Sequence, residues 1–343
     1  MLDDLKMIHS RDAQDALGIA ERQWQQLQQT YDVGLPELGN ITTVVVGGMG
    51  GSALAAAILQ SWPQLSVPFE IVRNYNLPQY VNEQTLFIAS SYSGNTEETL
   101  SALDEAEQRG CKIVVVASGG KLEERAAEKN YPFYELATGY QPRHAVFYNL
   151  AALVQLFEAL GFIAGGSQNE LHQAAEWLKE QTNTWLPTAA TQANRAKQIA
   201  LDVIGKSAVV YSGPKLWPAA YKWKISFNEN AKHIAWANQY PEFNHNEMMG
   251  WTEQPVDKPY AVIDLRSNLE HPRVQKRMEV AERLLSGRRP APIVVEAQGE
   301  TLLQQLLWTI TLGDFVSLYT ALANGINPSP VDLIEKFKKS LDE

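Results

Sequence analysis

Cysteine is nearly missing from this chain. Cys111 is the only one in 343 residues, which excludes a disulfide framework and any thiolate metal cage. Its place before the run Ile113-Val114-Val115-Val116 marks it as a buried thiol that packs as a small hydrophobe. Histidine is scarce as well. The six histidines include no pair at H-x-x-x-H or H-x-H spacing, so no histidine metal site is expected. Positive charge is short: 29 Lys and Arg face 39 Asp and Glu, giving a net charge of −10 and a pI near 5.2. That balance argues against nucleic acid or an anionic membrane as partner. It also means that an anionic ligand must be held by amides, hydroxyls and one or two basic groups. No G-x-x-x-x-G-K-[ST] is present, so a Walker-type nucleotide site is unsupported. The N-terminus carries Asp3, Asp4 and Lys6 with no apolar stretch of signal-peptide type, and no apolar run approaches the length of a membrane span. A cytoplasmic protein is the expectation.

What is present is ample apolar content, 45%, and a length suited to two domains. Strand and helix patterns alternate. Thr43-Val44-Val45-Val46, Phe69-Glu70-Ile71-Val72, residues 85–90 and residues 112–117 read as strands. Gly47 to Gly51 is a turn, and Ser52 to Leu59 reads as a helix. Continuous apolar strands separated by helices predict a parallel sheet covered on both faces. Residues 143–204 are helical in pattern, with breaks at Gly165-Gly166 and Pro187. The alternation then restarts. Ser207 to Pro214 echoes Thr43 to Gly48 and is followed by a helix from Trp217. Strands are expected at 260–265 and 293–296, and helices at 274–285, 301–323 and 331–341. This weak repeat of about 160 residues suggests two similar α/β domains.

The most informative stretch is Ser91-Tyr92-Ser93-Gly94-Asn95-Thr96-Glu97-Glu98-Thr99. It places four Ser and Thr hydroxyls where a strand ends and a helix begins. The first amides of a helix lack intrahelical partners and carry the positive end of its dipole. Such a place binds anions, and hydroxyls there donate to phosphate oxygens. The competing reading is a capped turn, with Asn95 as N-cap and Glu98 three residues on. Gly48-Met49-Gly50-Gly51-Ser52-Ala53 fits the loose dinucleotide pattern G-x-G-x-x-A. The second strand, however, ends in Val72-Arg73-Asn74-Tyr75, without the acidic residue that a nicotinamide ribose requires. A dehydrogenase is thereby weakened, although Arg73 could read a 2′-phosphate.

Four further residues are candidates. Glu229, in Phe227-Asn228-Glu229-Asn230-Ala231-Lys232, stands at the end of the helix begun at Trp217, between apolar neighbours. A carboxylate placed there is either a proton-accepting group or a solvated last-turn residue. His245 lies in Glu242-Phe243-Asn244-His245-Asn246-Glu247 and reads as a loop histidine, of the side-chain type that exchanges protons most readily near neutrality. Lys338 sits in the closing helix among Lys336 and Lys339, where a solvated face is the plain alternative. Arg143 opens a helix, where the dipole disfavours a cation, and so calls for a partner. Trp217, Trp223, Trp236 and Trp251 crowd one region and suggest core or subunit interface.

Together these residues resemble the bifunctional phosphoglucose/phosphomannose isomerases, which are built from two sugar-isomerase (SIS) domains. Three motifs carry the likeness: Gly48-Met49-Gly50-Gly51-Ser52, Ser91-Tyr92-Ser93-Gly94-Asn95-Thr96, and Phe227 to Lys232, the last with His245-Asn246 sixteen residues beyond Glu229. The resemblance implies an α/β chain of two doubly wound, flavodoxin-like SIS domains. On this reading residues 1–35 are a helical lead-in and 36–164 the first domain with the phosphate site. Residues 165–204 are a helical connector, and 205–343 the second domain, whose C-terminal helix returns toward the site.

The resemblance further implies a small sugar phosphate as substrate, with Gly50, Gly51, Ser52, Ser91, Ser93 and Thr96 around its phosphate. Glu229 would move the proton between C1 and C2. His245, donated across a homodimer interface, would serve ring opening. Arg143 would stabilise the enediolate, and Lys338 would lie near the ring oxygen. No metal and no redox cofactor is implied. Members that handle mannose often carry a Thr just before the closing helix, and the gapless match here is Val331. Glucose isomerisation is therefore the firmer expectation. The alternative within the fold is a sugar-phosphate sensor without catalysis, which would need no Glu229–His245 pair.

Overall fold

Runs such as Thr43-Val44-Val45-Val46 offer no polar face to water, so they form strands only where helices cover both sides. The computed structural model describes residues 1–35, 37–253, 257 and 259–341. The chain divides into two compact units, one of Met1–Glu21 with Lys179–Glu343 and one of Arg22–Leu178. Helices α1 (Leu5–Arg11) and α2 (Ala16–Glu21) thus group with the later part of the chain. Lys197 Nζ reaches Asp3 Oδ1 at 3.0 Å, and Asn327 donates to Gln14 at 2.9 Å.

The unit of residues 22–178 runs through α3 (Gln23–Gln26), β1 (Thr43–Gly47), α4 (Gly50–Ser61), β2 (Phe69–Val72), β3 (Thr85–Ser90), α5 (Glu97–Gln108), β4 (Lys112–Ala117), α6 (Gly120–Lys129), β5 (Phe133–Glu135) and α7 (Val146–Ala159). It closes in α8 (Ser167–Thr182). Its sheet is parallel throughout, in the order β2-β1-β3-β4-β5. Strand β3 is buried along its whole length, as its apolar run requires. Small residues Ala53, Ala55, Ala56 and Ala57 are buried on α4, which lets that helix approach its neighbours closely. Cys111 is buried as expected; its Sγ contacts the Asn82 carbonyl, and burial pushes its thiol up to about 11.

The other unit continues with α9 (Arg195–Val203), β6 (Ser207–Ser212), α10 (Trp217–Glu229), β7 (Ala235–Gln239), α11 (Glu247–Gly250), β8 (Tyr260–Arg266), α12 (Pro272–Leu284), β9 (Ile293–Glu296), α13 (Leu302–Ala323) and α14 (Asp332–Leu341). Its four strands are also all parallel, in the order β7-β6-β8-β9. Both sheets therefore carry the doubly wound order in which the second strand lies on one side of the first and the third on the other. This is the α/β architecture the alternation predicts.

Helix α13 corrects one expectation. At 22 residues and a mean hydropathy of 1.4 it is long and apolar enough to cross a membrane. The polar residues Thr309, Thr311, Asp314, Ser317 and Thr320 hide this in the sequence by breaking the apolar run. All five are buried, and 94% of the most apolar window lies inside the protein. It is the core helix of its unit, packed against α9 and α10.

Candidate active site

Parallel α/β sheets present loops at the carboxyl ends of their strands, and the gap where the strand order reverses is the usual ligand crevice. In the unit of residues 22–178 that gap lies between β1 and β3, whose ends pair as Gly47 with Ala89. Two loops flank it. In the first, Gly48 is obligatory, since a Cβ there would come within 2.7 Å of the Ser90 carbonyl. In the second, Gly94 has φ +68°, and a Cβ would strike the Gly119 carbonyl at 1.7 Å. Glycine alone tolerates both the conformation and the approach.

The β3–α5 loop is stitched to the loop after β4. Ser118 N donates to Tyr92 O at 2.9 Å and Leu122 N to Gly94 O at 3.0 Å. Asn95 binds Ser93 O through Nδ2 at 3.0 Å and receives Lys121 N on Oδ1 at 3.1 Å. Asn95 therefore staples loops rather than capping the helix, and the capped-turn reading is corrected. The N-cap is Thr96, whose side chain does not cap. Its hydroxyl meets Ser91 Oγ at 2.7 Å instead.

The hydroxyls thus gather at the amino end of α5. Ser52, buried at the start of α4, accepts from Tyr92 N at 3.1 Å, which leaves its O–H free to donate elsewhere. Ser91 is buried, Thr96 half-buried and Ser93 exposed. Below them, Asn149 of α7 donates to Ser90 Oγ at 2.8 Å and fixes the strand end. Gly50 (φ +50°) and Gly51 open α4 behind the N-cap Met49. A Cβ on Gly51 would lie 2.6 Å from the Pro142 carbonyl, so the 3-10 turn Pro142–His144 presses against this helix start. That turn carries Arg143, which is 1% exposed and reaches Gln141 Oε1 at 3.5 Å. The structure thus brings Gly50, Gly51, Ser52, Ser91, Ser93, Thr96 and Arg143 onto adjoining loops of one unit.

Glu229, His245 and Lys338 belong to the other unit. Glu229 is the last residue of α10 and is half-buried, with Phe227 and Ala231 fully buried beside it. Lys232 ends the turn in a left-handed conformation (φ +53°). Its Nζ caps the Glu229 carbonyl at 2.8 Å and also reaches Pro328 O at 2.9 Å. The ammonium therefore meets the negative end of the helix, where a cation is favoured, and ties it to the segment before α14.

His245 ends the 3-10 turn Glu242–His245 and is exposed. Its loop is firmly held by Glu247, which accepts from the Tyr211 hydroxyl and, at 2.5 Å, from Asn238 Nδ2. Burial, reinforced by the Glu247 carboxylate, pushes the Tyr211 hydroxyl far above its ordinary value. Lys338 is exposed on α14 and pairs with Glu335 at 2.9 Å. Val331 starts that helix by accepting from Ile334 N at 2.9 Å. Of the four tryptophans, Trp223 and Trp251 are buried, whereas Trp236 is 50% exposed. Among the described residues no group of three or more His, Cys, Asp or Glu could hold a metal ion.

Two features went unnoticed in the sequence. Lys222 and Asp314 form an ion pair whose side chains are 1% and 0% exposed. The signal was a lone Asp in the middle of an apolar helix. Glu270, 6% exposed, folds its carboxylate back onto Lys215 N at 2.9 Å. Nothing in the sequence marks it.

Comparison with known proteins places this arrangement. The family described as bacterial phospho-glucose isomerase C-terminal SIS domain matches residues 192–341. A bifunctional phosphoglucose/phosphomannose isomerase of Aquifex aeolicus is 34% identical over 87% of this chain and 90% of its own length. One from Caldicellulosiruptor bescii is 33% identical over 93% and 96%. Among solved structures, the tagatose-6-phosphate ketose/aldose isomerase of Escherichia coli superposes with a TM-score of 0.66 at 17% identity, covering 96% of this chain and 94% of that one. At that identity the likeness speaks for the fold. The two close relatives, matched over nearly their whole length, settle the kinship: this chain belongs to the family of bifunctional phosphoglucose/phosphomannose isomerases.

Proposed function

We propose that this protein interconverts glucose 6-phosphate and fructose 6-phosphate, and acts on mannose 6-phosphate more slowly. The observation that supports this most is the hydroxyl cradle at the amino end of α5, beside the crevice between β1 and β3. Ser52, Ser91, Ser93 and Thr96 hold the phosphate by donating hydrogen bonds, with the amides of Gly50 and Gly51 beside them. Arg143 faces the charge that develops on the enediolate.

In the reaction, ring opening moves a proton onto O5, with His245 and Lys338 serving that oxygen. Glu229 then removes the C2 proton of the open aldose, and the electron pair forms the cis-enediolate. Return of the proton to C1, with the O1 and O2 protons rearranged, gives the ketose. Each step is a proton transfer, so the chemistry calls for no metal and no redox cofactor. His245 is supplied by the second copy in a homodimer. Half-exposed Trp236 and the 70% exposed Met249, four residues after His245, suit that interface. The setting is a soluble, cytoplasmic enzyme.

A coupled assay with fructose 6-phosphate tests the activity. Glu229→Gln, which keeps the shape but cannot take a proton, is expected to lose about 10²-fold or more in turnover with the fold intact. Mixing Glu229→Gln with His245→Ala subunits is expected to restore activity, because one site of the heterodimer then carries both native groups. A fully active Gln variant removes Glu229 from the mechanism. Absence of recovery, with subunit exchange seen by native mass spectrometry, removes the shared site. Equal rates on glucose and mannose phosphates would show that Val331 does not limit the second substrate.

A further inference from the structure

Helix α10 presents Lys222, Ser226 and Asn230 at every fourth position, so the three lie on one face. All three are buried, and that face meets α13. Lys222 Nζ donates to Asp314 Oδ1 and, at 2.7 Å, to Ser226 Oγ. Ser226 Oγ donates to the same Asp314 oxygen at 2.7 Å. One turn further along, Asn230 Nδ2 donates to Ser317 Oγ at 2.9 Å, and that hydroxyl bonds the Asp314 carbonyl at 2.8 Å. On the adjacent face Trp223 Nε1 donates to Thr309 O at 2.7 Å. The Trp223 ring lies where a Cβ on Gly313 would be 2.3 Å away, so no side chain fits at 313.

A buried ion pair is poor evidence for stability, because desolvation offsets the attraction. What such a pair does well is to fix register, since sliding either helix would strand a charge in the core. Here the fixed register ends at one functional residue. Glu229 stands next to Asn230, on the final turn of the locked helix. We infer that the Lys222–Ser226–Asp314 cluster, with the Asn230–Ser317 bond, is the positioning device that sets the axial and rotational placement of Glu229. This rests on the reading of Glu229 as the base. Lys222 and Asp314 touch no substrate; they act through the helix.

The test replaces the pair by apolar residues of similar size, Lys222→Met with Asp314→Leu. Ser226 can then turn its hydroxyl to the carbonyl one turn back in α10. Stability is expected to hold, since such swaps are often neutral. Turnover of fructose 6-phosphate is expected to fall about 10-fold or more with KM nearly unchanged, because small misplacement of a reacting group costs that much. In the Glu229→Gln background the same pair of changes should cost nothing further.

A folded double variant with native turnover, beside a crippled Glu229→Gln protein, overturns the positioning role and leaves the base reading standing. An additive loss in the Gln background overturns it too, since the cluster would then act elsewhere. A fully active Glu229→Gln protein overturns both readings. Should the double variant fail to fold, Ser317→Ala removes only the Asn230 rung. It is expected to lower turnover about 2- to 5-fold together with a fall in melting temperature, since it takes an acceptor from buried Asn230, and native turnover there overturns the role.

Discussion

The two sheets carry the same strand order, yet the loops at their switch points are finished in opposite ways. Between β1 and β3 the loops bring hydroxyls together. Ser52 Oγ bridges to Tyr92 N, Ser91 meets Thr96, and Ser93 faces solvent. Between β6 and β8 the corresponding space holds the protein's own carboxylate. Glu270 lies where a Cβ on Gly213 would be 2.3 Å from its Oε2. It accepts from Lys215 N and His271 N, both at 2.9 Å. A carboxylate on helix-start amides is what a phosphate would be there, an anion satisfying orphan donors. One repeat leaves its loop amides and hydroxyls open, and the other is closed by a side chain of its own.

The contrast is sharpest in binding. Ser93→Ala with Thr96→Ala removes donors from the open loop. Hydrogen bonds to a charged group contribute about 1.5–3 kcal/mol each, so KM for fructose 6-phosphate should rise about 10- to 10²-fold per lost bond. The melting temperature should stay close to native, since Ser93 is exposed and Thr96 half-buried. Steady-state kinetics with a thermal melt check both. An unchanged KM would place the phosphate elsewhere and dissolve the comparison.

Glu270→Ala is the reciprocal change. It removes the acceptor from two amide donors, of half-buried Lys215 and exposed His271, at about 1 kcal/mol each or less, and should lower stability to urea modestly while leaving KM alone. A KM rise as large as that of the Ser93/Thr96 variant would mean that the closed loop also meets substrate.

The smallest expected effect is chemical. The sole thiol lies in the unit with the open loop, and burial pushes it up to about 11. A raised folded value means that its contribution to stability is complete below the unfolded thiol's value, about 8.5, and is lost as the pH rises through the folded one. Thermal melts between about pH 8 and pH 11 should show an alkaline decline that Cys111→Ala flattens. An identical decline in both proteins would assign it to other groups.

The strands and the hydroxyl motif were legible because their signals are local. A run such as Leu86-Phe87-Ile88-Ala89 has one way to satisfy its backbone and hide its side chains, and Ser91 to Thr96 follow it directly. Strand β7, Ala-Trp-Ala-Asn-Gln, was not legible: its small and polar residues gain a strand partner only because β6 lies beside them. The expected Asn95 cap does not form, for a related reason. Asn favours an N-cap, but the neighbouring loop offers Lys121 N, and that tertiary bond prevails over the local preference.

The sequence alone determined which residues can do chemistry. The lone cysteine, the serine-rich strand end and the Glu229–His245 spacing are set by the chain itself, because side-chain chemistry is fixed by composition. Which of those residues are held, and how, was decided only by the tertiary structure. Burial and long-range hydrogen bonds are made between segments far apart in the chain. Asp314 reads as an oddity in an apolar helix until Lys222, 92 residues away, lies against it. Nothing in the sequence marks Glu270, and Lys215 N, 55 residues away, takes it up only in the fold. Both are paired because an unsatisfied charge or amide in the interior costs more than the ordering needed to satisfy it.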